Sequence, residues 1–243
     1  MRRRKLNRSV ARPVWIRDER PVSFDEVAWL RSAEGEVVCQ EMAAGRPADT
    51  PATIAHWRQR LEPEHVAAAW NQVCLRRQGQ AKFSLASKMI FDRIGLEQAT
   101  DEVVAMHKAR RFAGRSRVAD LCCGIGGDAL ALGAVASVVA VDWSEARVAM
   151  TEHNASVYGH SVVGRVADVA FDRPEADAVH VDPDRRPAGR RGHRIEASLP
   201  GPTELARIVE HYRHVAIKLS AGADLDHLPF EGEIEVISHH GEC

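Results

Sequence analysis

The chain has 243 residues, 45% apolar and 28% charged, with 33 Lys and Arg against 34 Asp and Glu, a composition that excludes a disordered or collagenous chain and, by length, fits one large domain or two unequal ones. Its longest nearly apolar run, Ala129 to Val141, falls short of the roughly 20 residues that a membrane-spanning helix needs. Five Cys, an odd number, make no disulfide framework and read as reduced thiols in a cytoplasmic protein. Residues 1–20 carry eight basic residues and two acids and read as a flexible basic tail; MRRRKLNRSV leads into no apolar stretch and is no secretory signal. From Phe24 to Phe112 the signals are helical, so residues 21–113 are expected to form a helical N-terminal domain. Thr50-Pro51 caps and opens a helix to about Leu61. Pro63 opens the next, with Val66, Ala69, Trp70 and Val73 on one face and Gly79 as its stop. Further helices are expected at Leu85–Arg93 and Leu96–Phe112. Trp15, Trp29, Trp57 and Trp70 lie in this half and read mostly as core.

After Gly114 the texture changes. Runs rich in β-branched residues lie at 118–122, 137–141, 161–166, 177–181, 214–219 and 233–238, with helical stretches at about 127–134, 145–158 and 203–212. Alternating strand and helix implies βαβ units, hence an α/β, Rossmann-like parallel sheet over residues 114–243.

The chemistry concentrates in Asp120-Leu-Cys-Cys-Gly124-Ile-Gly126-Gly127-Asp128, between the first strand and its helix. Glycines there let the backbone turn tightly and approach a ligand, and the helix start presents free N–H groups. Gly124-x-Gly126-x-x-Ala129 also fits the dinucleotide fingerprint, which keeps a nicotinamide-dependent oxidoreductase as an alternative. Three acids weigh against it. Asp120, at the strand end before the loop, suits a cationic ligand and opposes a pyrophosphate. Asp142 ends the second strand, where a carboxylate accepts from both ribose hydroxyls. Asp168 follows the third and can accept from an adenine amine. A ligand with an adenosine end, a cationic amino-acid end and no phosphates describes S-adenosylmethionine. Asp128 and Ser144 also suit helix capping, and Trp143 suits either a core or a site.

Taken in order, DLCCGIGGD, VAVDW, VADV and VDPDRRP resemble the class I S-adenosylmethionine-dependent methyltransferases. Cys123 before Gly124, the Gly126-Gly127 pair, HNASVYG and GLEQAT (95–100) resemble the trimethylguanosine synthase branch and bacterial relatives with a THUMP-like domain. The resemblance implies that Asp120 contacts the methionine amino group through backbone and water, and that Gly124 and Gly126 make room for the methionine moiety. It further implies that Asp142 holds the ribose, that Trp143 lies against the adenine, that Asp168 reads its amine, and that Cys122 belongs to the same donor loop. It also implies a seven-stranded sheet, whereas the chain stops just after the sixth expected strand, so either the edge strand is missing because the chain is a fragment or the sheet is completed otherwise.

In relatives that methylate exocyclic amines, an Asn/Asp-Pro-Pro-aromatic motif follows the fourth strand. Here the stretch is Asp182-Pro183-Asp184-Arg185, with Asp184 for the second Pro and Arg185 for the aromatic ring. Asp182 is expected nearest the methyl group, with Pro183 beside it and Asp184 as a second carboxylate. The altered motif makes an S-adenosylmethionine-binding protein with weak or no transferase activity the other alternative. Residues 185–194 hold five Arg and no acid. Arg185 and Arg186 could pair with phosphates of an RNA acceptor, and Lys218, after the fifth strand, is a further substrate-side candidate. Cys122-Cys123 lack metal or redox spacing, and His239-His240-x-x-Cys243 has no second cluster, so no metal is expected.

Overall fold

The computed structural model describes residues 21–45, 51–184, 195, 198–220 and 222–239; the expected basic tail lies outside them. The N-terminal part is helical: α1 (Phe24–Leu30), α2 (Ala33–Ala44), α3 (Pro51–Trp57), α4 (Pro63–Gly79), α5 (Arg93–Gln98) and α6 (Glu102–Ala109), which runs into a 3-10 turn at Arg110–Phe112. Ser23, Ser32, Asp92 and Asp101 cap α1, α2, α5 and α6 by accepting a backbone N–H of the first turn, satisfying donors that a helix start leaves open.

Two helical expectations need correction. Leu85–Arg93 forms no helix because distant side chains take its backbone groups. Gln72 donates to the Phe91 carbonyl at 2.7 Å and accepts from its N–H at 3.0 Å. Asn154 accepts from Ile90 N–H at 2.8 Å and donates to its carbonyl at 3.0 Å, while Arg76 donates to Met89 O at 2.8 Å. Met89, Ile90 and Phe91 are thereby completely buried although they lie outside any helix. The expected helix Leu96–Phe112 is divided between α5 and α6. Ala99 turns extended, with ψ 135°, and Asp101 caps a new start. The Lys82 ammonium donates to the carbonyls of Leu96, Glu97 and Ala99 at 2.8–2.9 Å, fixing the break.

The sheet comprises β1 (Arg117–Leu121), β2 (Ser137–Asp142), β3 (Val162–Val166), β4 (Ala178–Val181) and β5 (Val215–Ile217), all parallel in the order β3-β2-β1-β4-β5. Helices α7 (Gly127–Gly133), α8 (Glu145–Val157) and α9 (Pro202–His211) complete the fold. β4 is buried throughout, as a strand covered on both faces must be. Alternation along the strands divides the core. Val118, Val138 and Ala178 meet α6 and α7, while Ala119, Leu121, Val179 and Val181 meet Leu205, Ile208 and Tyr212 on the other face.

A third cluster joins Trp57, Trp70, Phe83 and Phe91 to Leu130, Ala149 and Met150. The apolar core therefore runs without a break across residue 114. Trp57 and Trp70 are buried in it and Trp29 packs against it, stacked on His65 at 4.2 Å; Trp15 lies outside the described residues. The expected strand at 233–238 pairs with no other among the described residues. No face of it buries apolar groups: Glu233 and Glu235 pair with Arg111 at 2.8 Å on the surface, and Ile234 and Val236 face solvent. No helix among the described residues is long and apolar enough to cross a membrane.

Candidate functional site

Parallel strands deliver their successors to one edge of the sheet, and there the carboxyl ends of β1 to β4 border a cavity of about 830 Å³. Its volume lies within the range of small-molecule sites. Asp120, Cys122, Gly124, Asp142, Trp143, Asp168, Asp182, Pro183 and Asp184 all line it. Gly126 and Lys218 stand just behind the wall, and Arg185 and Arg186 lie outside the described residues.

The loop after β1 makes the floor. Cys122, Gly124 and Gly126 have positive φ of 63°, 57° and 93°, so the backbone coils tightly before α7. A Cβ built on Gly124 meets nothing within 4 Å and would project into open space, whereas one on Gly126 would stand 3.1 Å from Thr151. Gly124 therefore keeps a cradle open, and Gly126 lets the loop pack on α8. Burial, followed by the nearby charge of Asp142, pushes both the Cys122 and Cys123 thiols well above their ordinary range, which disfavours their thiolate forms.

Asp142 is the wall's best-fixed acid. Its two oxygens accept from Gly124 N–H at 3.0 Å and Ser144 N–H at 2.9 Å, leaving a lone pair on each for a ligand hydroxyl. Burial raises its carboxyl despite those two bonds. Ser144 also caps α8, accepting from Arg147 N–H. Trp143 is 77% exposed at the cavity rim, so of its two readings the core one is excluded. Asp168 accepts from Ala170 N–H at 2.8 Å, which orients its carboxylate.

The opposite end is built from β4, β5 and the N-terminal region. Asp182 Oδ2 meets the Lys218 ammonium at 2.6 Å, and Lys218 also donates to the Thr100 hydroxyl at 2.9 Å. Asp184 exchanges two 2.9 Å backbone hydrogen bonds with Leu199, closing the base of the arginine-rich loop, and accepts from Gln98 Nε2 at 3.2 Å. Gln98, Ala99 and Thr100, on the segment held by Lys82, form the facing wall.

Four residues here were not singled out from sequence for this site: His180, Lys108, Thr100 and Gln98. Asp128 was read as a possible cap; in the structure Gly126 holds that place and Asp128 accepts from Thr100 at 2.7 Å and pairs with Lys108 at 2.5 Å. No local signal marks His180: the register of β1 and β4 brings it beside Asp120, on the face toward α7. His239, from the discounted terminal cluster, pairs with Asp101 at 3.1 Å; His240 and Cys243 lie outside the described residues. No group of three metal-binding side chains occurs among the described residues.

The family described as RNA cap guanine-N2 methyltransferase matches residues 115–177, and a domain of unknown function (DUF8688) matches residues 23–79. Two uncharacterised S-adenosylmethionine-dependent methyltransferases of Mycobacterium tuberculosis, from strains CDC 1551 / Oshkosh and ATCC 25618 / H37Rv, are each 38% identical over 161 residues. The match covers 64% of this chain and 44% of theirs, so the chain spans less than half the length of these relatives. Among solved structures, a Porphyromonas gingivalis W83 protein classed as a methyltransferase superposes with a TM-score of 0.59 at 24% identity, over 80% of this chain and 51% of that one. The fold is thus the Rossmann-like fold of methyltransferases.

Proposed function

We propose that the chain is an S-adenosylmethionine-dependent methyltransferase that acts on RNA. One observation carries the reading: Asp120, Asp142 and Asp168, at the ends of three adjacent parallel strands, border one cavity together with the open side of Gly124. The residues fit the donor. Asp120 Oδ2 is buried without a partner and suits the ammonium of a methionine moiety. Asp142 keeps acceptor capacity for two ribose hydroxyls. The exposed ring of Trp143 offers a face for adenine, and Asp168 an acceptor for its amine. The relatives' names support the same donor.

When bound, the donor supplies a methyl group already activated on a sulfonium. What remains for the chain is alignment and removal of a proton. Asp182 and Asp184, with the Pro183 carbonyl between them, offer acceptors that orient a nucleophilic amine, and Lys218 holds the Asp182 carboxylate in place. Gln98 does the same for Asp184. The RNA reading draws on the family that matches residues 115–177 and on the five arginines of residues 185–194, which follow the acceptor motif in the chain.

The test is turnover. Incubation with a donor labelled in its methyl group, and with separate RNA, DNA, protein and metabolite fractions, is expected to label RNA. Label in another fraction alone would contradict the RNA acceptor, and label in none would favour a donor-binding protein without transferase activity.

A further inference from the structure

Behind the cavity floor lies a buried histidine that donor and acceptor recognition leave unused. His180, in β4, is 2% exposed. Its Nδ1 stands 2.8 Å from Asp120 Oδ1 on β1. Its Nε2 faces Lys108 Nζ of α6 at 3.4 Å and Asp128 Oδ2 of α7 at 3.9 Å. The Phe112 ring packs edge-on, and β5 presents Ala216 in register, so these two neighbours bring no charge. Beyond them Thr100 links Asp128 to Lys218, and Lys218 reaches Asp182.

The hydrogens follow from chemistry. An ammonium only donates, so the ring nitrogen beside Lys108 accepts, and Nδ1 carries the ring proton and donates it to Asp120 Oδ1. That leaves Asp120 Oδ2, which is buried, has no partner, and belongs to a residue bordering the cavity. Asp120 and Asp128, both buried, stand on either side of the His180 ring with the Lys108 ammonium beside them, so with both carboxyls ionised one negative charge among these groups is uncompensated. A proton on Asp120 removes it. Burial favours that protonated form and outweighs the His180 hydrogen bond, raising the Asp120 carboxyl above its ordinary range. A ligand ammonium beside Oδ2 would compensate the same charge.

We propose that His180 is a positioning residue of the ligand site: braced by Lys108, it clamps one oxygen of Asp120, so that the other exchanges its proton for the ammonium group of the bound amino-acid end. The assignment rests on the reading of the ligand as S-adenosylmethionine. In the exchange the Asp120 O–H bond breaks with its electron pair left on Oδ2, the proton passes to the solvent buffer, and the ligand ammonium donates to the carboxylate formed. The affinity of ligands with that ammonium therefore falls as acidification keeps Asp120 protonated, and ligands without it are indifferent.

The test is calorimetry of the full chain between pH 5 and 7.5, in buffers of different ionisation enthalpy. S-adenosylhomocysteine is expected to release a proton on binding, and 5′-methylthioadenosine, which lacks the amino-acid end, to release none. Asp120→Asn should bind S-adenosylhomocysteine with no release. His180→Leu, which removes the N–H that favours the carboxylate, should move the midpoint of the affinity–pH curve upward by about one unit or more (a 1.4 kcal/mol change per unit), and His180→Asn, which restores an N–H donor, should bring it back. S-adenosylhomocysteine binding without proton release, or a folded His180→Leu protein with an unmoved midpoint, overturns the proposal while leaving the ligand reading intact. No binding of S-adenosylhomocysteine at any pH overturns the ligand reading itself. A nitrogen NMR signature of His180 with its proton on the nitrogen facing Lys108 overturns the assignment independently of any ligand.

Discussion

Asp182 and Asp142 are both cavity carboxylates, yet their partners separate their work. Asp142 is held by two backbone N–H groups of the donor loop, Asp182 by the Lys218 ammonium. Asp182→Ala is therefore expected to lower methyl transfer by about 100-fold or more, in the range of a lost general base, while S-adenosylhomocysteine affinity stays within about three-fold. Steady-state kinetics beside calorimetry would show it; an equal loss in both would mean that Asp182 serves donor binding. Asp128 makes a different prediction. Burial alone would raise its carboxyl, but the ammonium groups of Lys108, which pairs with it directly, and of Lys218 outweigh it and hold the group well below the usual carboxylate range. A depressed folded value contributes stability that is present above the unfolded value, about 3.9, and is lost as pH falls through the folded one. Asp128→Ala should cost about 3 kcal/mol at pH 7, because Lys108 keeps its charge without its main partner, and should flatten the loss of stability below pH 4 in urea titrations. The strand-end acids were legible because strand termini can be read from apolar runs. His180, Lys108 and Thr100 were not, since they meet only through strand register and the docking of α6 on α7, with Thr100 28 residues from Asp128 and Lys108 72 from His180.

The elements read correctly are those whose own residues decide them. The five strands that form, α4 and α7 to α9 carry their periodicity or caps locally. Residues 85–93 have helical composition, but Gln72, Arg76 and Asn154 capture their backbone from elsewhere. Nothing in the local spacing reports that competition. Asn154 also donates to Ile125 O at 2.9 Å and so ties this segment to the glycine loop. Asn154→Leu should lower stability by about 3 kcal/mol, since it strands a buried N–H and two carbonyls, and should loosen amides 90 and 91 in hydrogen exchange. Unchanged protection there would show that the segment holds its course without the Asn154 bridge.

The whole molecule is bound by the apolar cluster that spans residue 114. The change of texture at that point marks a change of architecture, and the shared core was invisible because its two halves lie far apart in sequence. One cooperative transition is expected in urea, with Trp fluorescence, which reports mainly the region before 114, coinciding with far-ultraviolet circular dichroism. Two separated transitions would show that the halves fold independently. The same packing holds the wall at Gln98–Thr100 against the strand ends, so the cavity depends on both parts. Calorimetric titration with S-adenosylhomocysteine and with NAD, on the wild type and on Asp142→Ala, tests the site as a whole. Binding of S-adenosylhomocysteine to the wild type, weakened about 30-fold by loss of the ribose-facing carboxylate (roughly 2 kcal/mol for its hydrogen bonds), with no heat from NAD, is the expected result; binding of NAD alone, or equal S-adenosylhomocysteine affinity in both proteins, would contradict it.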